Sequence, residues 1–69
     1  MTTNEMLKAI WDKGYELKVT STEIRVFKTE YCEYLDLDTY NSIVVEQHKG
    51  NVTESIDSVL KRSLAIVGA

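Results

Sequence analysis

The chain has 69 residues, of which 43% are hydrophobic and 28% are charged, and its formal net charge at pH 7 is −3. This length allows one domain, residues 1–69, with a small core, and the composition excludes a disordered chain, which is poorer in apolar residues. The acidic balance argues against a protein that binds nucleic acid directly, since such proteins carry basic patches.

Nothing in the sequence indicates a membrane protein or a secretory signal. No apolar run reaches the roughly 18 residues that span a bilayer, and the first residues lack the basic region and long apolar stretch of a signal peptide. The single cysteine, Cys32, has no partner for an internal disulfide. These features predict a cytoplasmic protein in a reducing compartment.

The first segment predicts a helix over residues 4–13. Thr2 followed by Glu5 fits a capping box, in which each side chain binds the backbone N–H of the other residue. Gly14 supplies the left-handed conformation that ends many helices, and Tyr15 follows where a Schellman motif places an apolar contact back onto Ile10. The apolar face of this helix consists of Met6, Leu7, Ile10 and Trp11.

Apolar and polar residues alternate after this helix, as in half-buried strands. The first strand covers residues 15–19, and a polar break at residues 20–23 suits a turn. Ile24 and Val26 then begin a second alternating strand. Two such runs with a short polar break predict a hairpin.

The assignment of residues 28–38 is less direct. Every second residue of a regular strand lies on the same face, so if Leu35 and Leu37 face the core, Glu33 faces it as well. A charged side chain is unfavourable there. A bulge over residues 29–33, or a strand that starts late, avoids this placement of Glu33. The composition of residues 38–41 predicts the following turn, and residues 42–47 predict the last strand.

A second helix is predicted over residues 52–66. Asn51 with Glu54 three residues later fits an N-cap, and acidic residues early and basic residues late complement the helix dipole. The order of elements predicts an α+β fold with a three- to four-stranded antiparallel meander and both helices on one sheet face. The three-stranded version applies if residues 30–34 are irregular.

No catalytic motif is present. Cys32 and His48 are the single thiol and the single imidazole, and their spacing does not define a nucleophile–base pair. A calcium loop beginning at Asp36 requires glycine and glutamate where Asn41 and Gln47 stand. We therefore expect a protein that is not an enzyme and has no cofactor or metal, although a hairpin in this region would allow Asp36, Asp38, Glu46 and His48 to approach each other.

An unusual charge pattern extends from Thr29 to His48, which contains acidic residues but no lysine or arginine. An acidic strip steers basic partners, and tyrosine is enriched in binding interfaces. We predict one strip on the third strand, formed by Glu30, Tyr34, Asp36 and Asp38. The predicted contacts to a partner protein with a basic surface, such as a nucleic-acid-binding protein, are Glu30, Glu33, Tyr34, Asp36, Asp38 and Tyr40. The alternative is a solvated sheet face without a partner.

The chain ends in an apolar run over residues 64–69. Such a run either packs under the domain or meets a second copy of the chain. In the second case the protein is a structural or self-associating domain whose homodimer interface contains Leu64, Ile66 and Val67.

The run from Asn4 to Val19, a helix ended by Gly14 and followed by an alternating strand, resembles the start of small phage-encoded anti-CRISPR proteins, which inhibit Cas9-type nucleases. The resemblance covers about the first quarter of the chain. It implies a helix before an antiparallel sheet, helices after it, and inhibition by carboxylates that imitate DNA in the basic groove that reads the PAM. It transfers no binding residue to this sequence.

Overall fold

The computed structural model describes residues 1–48 and 50–68. Three strands form one antiparallel sheet in the order β1-β2-β3, and one core cluster joins both helices to the same sheet face. The predicted α+β class and the meander between two helices are confirmed, with three strands rather than four. The elements in chain order are α1 (Thr3–Asp12), β1 (Glu16–Val19), β2 (Glu23–Cys32), β3 (Leu37–Gln47) and α2 (Val52–Val67).

Both ends of α1 follow from local hydrogen bonds. The Thr2 hydroxyl accepts from the Glu5 backbone N–H at 3.2 Å, and the Glu5 carboxylate accepts from the Thr2 N–H at 2.9 Å. At the other end Gly14 has φ 84°, and the Tyr15 N–H donates to the Ile10 carbonyl at 3.1 Å. The predicted capping box and Schellman motif are confirmed.

Helix α2 has equally clear ends. The Asn51 side chain accepts from the Glu54 backbone N–H at 3.1 Å, as predicted for an N-cap. Gly68 ends the helix with φ 74°, and its N–H donates to the Leu64 carbonyl. A left-handed glycine directly after the last helical turn is a common C-terminal signal, and Gly68 extends the helix one residue beyond its predicted end at residue 66.

The core lies between the sheet and the two helices. Its fully buried apolar side chains come from α1, β2 and α2, and burying each one stabilises the fold by about 1.5–3 kcal/mol. Trp11 is 55% exposed, so its assignment to the apolar face of α1 is wrong. The buried apolar residues are Met6, Ile10, Ile24, Val26, Val44, Val59, Leu60 and Leu64.

The turn between β2 and β3 lies earlier than predicted. It covers residues 33–36, whereas the predicted turn at residues 38–41 lies inside β3. The buried centre of the sheet explains this difference, because Val26 pairs with Val44, the next pair towards the turn is Phe27 with Ser42, and antiparallel pairing in that register places the midpoint of the hairpin between Tyr34 and Leu35.

A β-bulge interrupts β3 rather than residues 29–33, where the sequence predicted one. Val26 pairs with Val44 but Phe27 pairs with Ser42, so Ile43 is the extra residue. Both Ile43 and Val44 consequently contact the core cluster. Between the bulge and the turn, β3 keeps a regular register with β2.

Candidate interaction surface at the hairpin tip

The far part of the β2–β3 hairpin, residues 29–40, is here named the hairpin tip. Strand β1 pairs only with residues 24–27, so the tip is a two-stranded ribbon beyond the three-stranded part of the sheet. None of its residues is buried. The molecule is correspondingly elongated, with extents of 40 × 26 × 16 Å, and no residue of the tip belongs to the core cluster.

The hairpin tip has an excess of negative charge. It contains four exposed carboxylates and no lysine, arginine or histidine. Within the described residues, the only cation that pairs with one of these carboxylates is Lys28, whose Nζ lies 3.6 Å from Glu30 Oε1 and 5.8 Å from the centre of the Tyr15 ring. The four carboxylates are Glu30, Glu33, Asp36 and Asp38.

The prediction that Glu30, Tyr34, Asp36 and Asp38 line one side of a strand is wrong. In the tip an even-numbered residue of β2 pairs with an odd-numbered residue of β3, as Glu30 does with Thr39. Glu30 therefore lies on the face that carries the helices, and Asp38, which pairs with Tyr31, lies on the opposite face. The turn itself carries Glu33, Tyr34 and Asp36. The negative charge surrounds the tip instead of forming a strip.

Hydrogen bonds hold Glu30 within the ribbon. Its Oε2 accepts from Asn41 Nδ2 at 3.1 Å, and its backbone carbonyl accepts from the Thr39 hydroxyl at 3.0 Å. These bonds join the two strands on the side where Lys28 pairs with the same carboxylate. Glu30 is therefore the tip carboxylate that local contacts constrain and partly neutralise.

Asp36 is ordered by a different contact. Its backbone has φ 53°, and its carboxylate accepts a hydrogen bond from the Tyr31 hydroxyl. This hydrogen bond, together with a smaller effect of desolvation, raises the pKa of the Tyr31 phenol. The turn therefore presents a fixed carboxylate beside a tyrosine ring.

Aromatic and aliphatic side chains share this surface with the carboxylates. Tyr34 at the turn is 95% exposed, and Tyr40 is 70% exposed although its ring packs edge-on against Phe27 with centroids 5.7 Å apart. Exposed apolar groups surrounded by polar ones are typical of binding surfaces. The sequence analysis did not assign Tyr31 to this site, and it placed Leu35 and Leu37 on a core face, whereas all three are exposed.

The predicted oligomer interface is mostly part of the core. Leu64 is 8% exposed and belongs to the core cluster, and Val67 packs against that cluster. Ile66 is 59% exposed. Core packing, the alternative reading of the apolar end of the chain, therefore accounts for Leu64 and Val67.

Cys32 and His48 lie at opposite ends of the hairpin. Cys32 pairs with Leu37 next to the turn, while His48 follows β3 and its Nε2 lies 2.9 Å from the Thr20 carbonyl oxygen. The length of β3 separates them by roughly 30 Å, which prevents a thiol–imidazole pair within one chain. In residues 1–48 and 50–68, no group of three metal-ligating side chains comes together, and the approach of Asp36, Asp38, Glu46 and His48 that a hairpin would have allowed does not occur.

Comparison with known proteins found no relative: no family model matches the chain, and no curated protein and no solved structure matches it significantly. In the part of the chain that the structure describes, neither helix has the length and apolar character needed to cross a bilayer. The interpretation of the site therefore depends on the geometry and chemistry of the hairpin tip.

Proposed function

We propose that this protein is a non-enzymatic interaction module whose hairpin tip binds a basic surface of a partner protein. The observation that carries the proposal is the content of the tip, which combines four exposed carboxylates and three exposed tyrosines with no cationic residue. The proposal keeps the predicted contacts at Glu30, Glu33, Tyr34, Asp36, Asp38 and Tyr40 but replaces the strip with a tip that is acidic on both faces.

Electrostatics and contact area have separate roles in this proposal. Exposed carboxylates attract a basic surface over about one Debye length, roughly 10 Å at 0.1 M salt, and accelerate the encounter. Tyrosine rings supply area that can be desolvated in the complex, and interface energy concentrates at such residues. Tyr34 is the best placed ring, because it lies at the end of the ribbon and is almost fully exposed.

The partner class can be defined further. Surfaces that bind nucleic acid are basic, so a protein with a nucleic-acid groove suits an acidic tip. The resemblance of residues 4–19 to anti-CRISPR proteins supports the same class and adds inhibition by DNA mimicry to the proposal. If the tip occupies such a groove, duplex DNA and this protein compete for the partner. A ternary complex, in which the partner binds duplex DNA and this protein at the same time, would contradict DNA mimicry.

The test compares two variants that carry the same charge change at different places. Glu33→Lys/Asp38→Lys reverses charge at the tip, and Asp12→Lys/Glu16→Lys reverses it at exposed positions outside the tip. Each variant changes the formal net charge from −3 to +1, because each substitution adds two charge units. Asp36 is left unchanged, since lysine tolerates its left-handed backbone less well than aspartate does.

The measurement is quantitative capture from a lysate of the source organism at low and high ionic strength. We expect the tip variant to lose most of the partner that the wild type captures, while the control variant retains it, and high salt to weaken capture by the wild type. Equal capture by the tip variant and the control at low salt would contradict the proposal.

A further inference from the structure

Strand β3 is an edge strand. In the sheet order β1-β2-β3 it pairs with β2 on one side, and no strand in the described part of the chain pairs with its other side. Proteins usually protect such an edge with lysine, proline or a short strand. The 11 residues of β3 include no lysine, arginine or proline, and residues 37–42 are exposed except for the half-buried Thr39, so this edge lacks the usual protection against another strand.

The part of β3 within the ribbon is the most suitable for pairing. Residues 37–42 run from the turn to the bulge at Ile43 in regular register with β2, and they extend about 20 Å. Beyond Ile43 the bulge bends the strand. A two-stranded ribbon is marginally stable in water, and a third strand would stabilise it.

The negative charge of the hairpin tip determines which kind of strand can pair with this edge of β3. A second copy of the chain would bring another acidic tip, with four more carboxylates, close to this one, and repulsion between like charges disfavours that pairing. A segment with lysine or arginine forms favourable cross-strand pairs instead. Asp38 and Tyr40 lie two residues apart on the helix-free face, so a basic residue opposite Asp38 and an apolar residue opposite Tyr40 fit the edge.

We propose that an extended, lysine- or arginine-bearing segment of the partner pairs with residues 37–42 of β3 as a fourth strand. The proposal depends on the proposed function, because it describes how the basic partner is held at the same hairpin tip. Backbone hydrogen bonds supply affinity in this mode, and alternate side chains supply specificity.

The test uses a synthetic peptide with the repeat Lys-Thr-Val-Thr, long enough to cover the edge, because lysine and valine then lie two residues apart on one face, as Asp38 and Tyr40 do. A second peptide has the same side chains but N-methylated backbone amides, so it keeps the charge and loses the hydrogen-bond donors. Binding is measured for the wild type and for Glu33→Lys/Asp38→Lys. Amide hydrogen exchange at residues 37–42 reports strand pairing directly.

We expect the first peptide to bind the wild type and to slow exchange at residues 37–42, and the N-methylated peptide to bind at least about tenfold more weakly without slowing exchange. Equal binding of both peptides overturns strand pairing but leaves the proposed function intact. If the charge-reversed variant binds the first peptide as tightly as the wild type does, the proposed function itself fails. Protection of residues 37–42 in a dimer without peptide would instead assign the edge to a second copy.

Discussion

Asp36 is a residue whose backbone and side chain both shape the hairpin tip. Its φ of 53° lies in the left-handed region, which aspartate and asparagine tolerate because their short side chains can form local hydrogen bonds. The same side chain accepts the Tyr31 hydroxyl. Asp36 thus allows the chain to reverse direction and also fixes a carboxylate at the surface.

The Tyr31–Asp36 contact gives a titration prediction. Asp36→Asn retains the preference for a left-handed backbone but removes the negative charge, so we expect the raised pKa of Tyr31 to return towards its ordinary value of 10.0. A raised phenol pKa means that the contact stabilises the fold below pH 10 and that this contribution disappears as pH rises through the raised value. An NMR titration of the Tyr31 ring that is the same in both proteins would contradict the assignment.

The capping box of α1 gives a stability prediction. Thr2→Ala removes the side chain that accepts the Glu5 N–H, and we expect it to lower the free energy of unfolding by about 1 kcal/mol in urea denaturation. The control is Thr3→Ala, which leaves the box intact but removes the hydrogen bond from Thr3 to Asp57. No change in the denaturation midpoint for Thr2→Ala would show that the box does not stabilise the helix.

The same capping box depends on pH through Glu5. The hydrogen bond from the Thr2 backbone N–H, followed by one from the Thr2 side chain, holds the pKa of Glu5 below its ordinary value of 4.5. The contribution of its charge is therefore present above pH 4.5 and is lost as pH falls through the lowered value. Glu5→Gln, which retains an acceptor for the Thr2 N–H, should not show that loss.

At the level of elements, the helices were predictable because their signals are local. The capping residues Thr2 and Asn51 and the terminal Gly14 act within a few positions, and each performs the predicted role. The predicted bounds differ from the observed ones by about one residue at either end. Such motifs stabilise a helix end by hydrogen bonds that do not depend on the rest of the fold.

The β2–β3 hairpin was harder to predict because its register is set by distant contacts. The pairing of Val26 with Val44 fixes where the chain turns, and that pairing depends on burial against both helices. Residues 38–41 have a turn-like composition, but Thr39 and Tyr40 are also favourable in strands. The misplaced turn also changed the predicted faces, because a strand reverses its phase when its register shifts by one residue.

The ribbon of the hairpin tip gives a prediction about local stability. We expect amide hydrogens at residues 37–42 to exchange faster than those of Val26 and Val44 in the isolated protein, because no buried side chain supports the tip. The measurement is amide exchange followed by NMR. Uniform protection along β3 would contradict the description of the tip as an unsupported ribbon.

At the level of the whole molecule, the hydrophobic core and the acidic hairpin tip lie in different parts of the fold. The core occupies the part of the sheet that the helices cover, and the tip carries four exposed carboxylates and three exposed tyrosines without a cationic residue. Substitutions at the tip should therefore have little effect on the core, as surface substitutions usually change stability by less than about 0.5 kcal/mol. This separation makes charge-reversed variants informative about binding.

The packing of the chain end predicts a monomer. Leu64 and Val67 contribute to the core of their own chain, which leaves Ile66 as the exposed member of the predicted interface. We expect a single species of 7.9 kDa in sedimentation equilibrium across a wide concentration range. A dimer that Ile66→Lys dissociates would instead support self-association through α2.

The most direct test of the account is to map the surface that the captured partner covers. The isotopically labelled protein is titrated with that partner, and the chemical shifts of its backbone amides are followed by NMR. We predict that the largest changes fall within residues 29–40 and that they diminish at high salt. Changes centred on Ile66 and the exposed face of α2, with the tip unaffected, would contradict the claim that the acidic hairpin tip is the binding site.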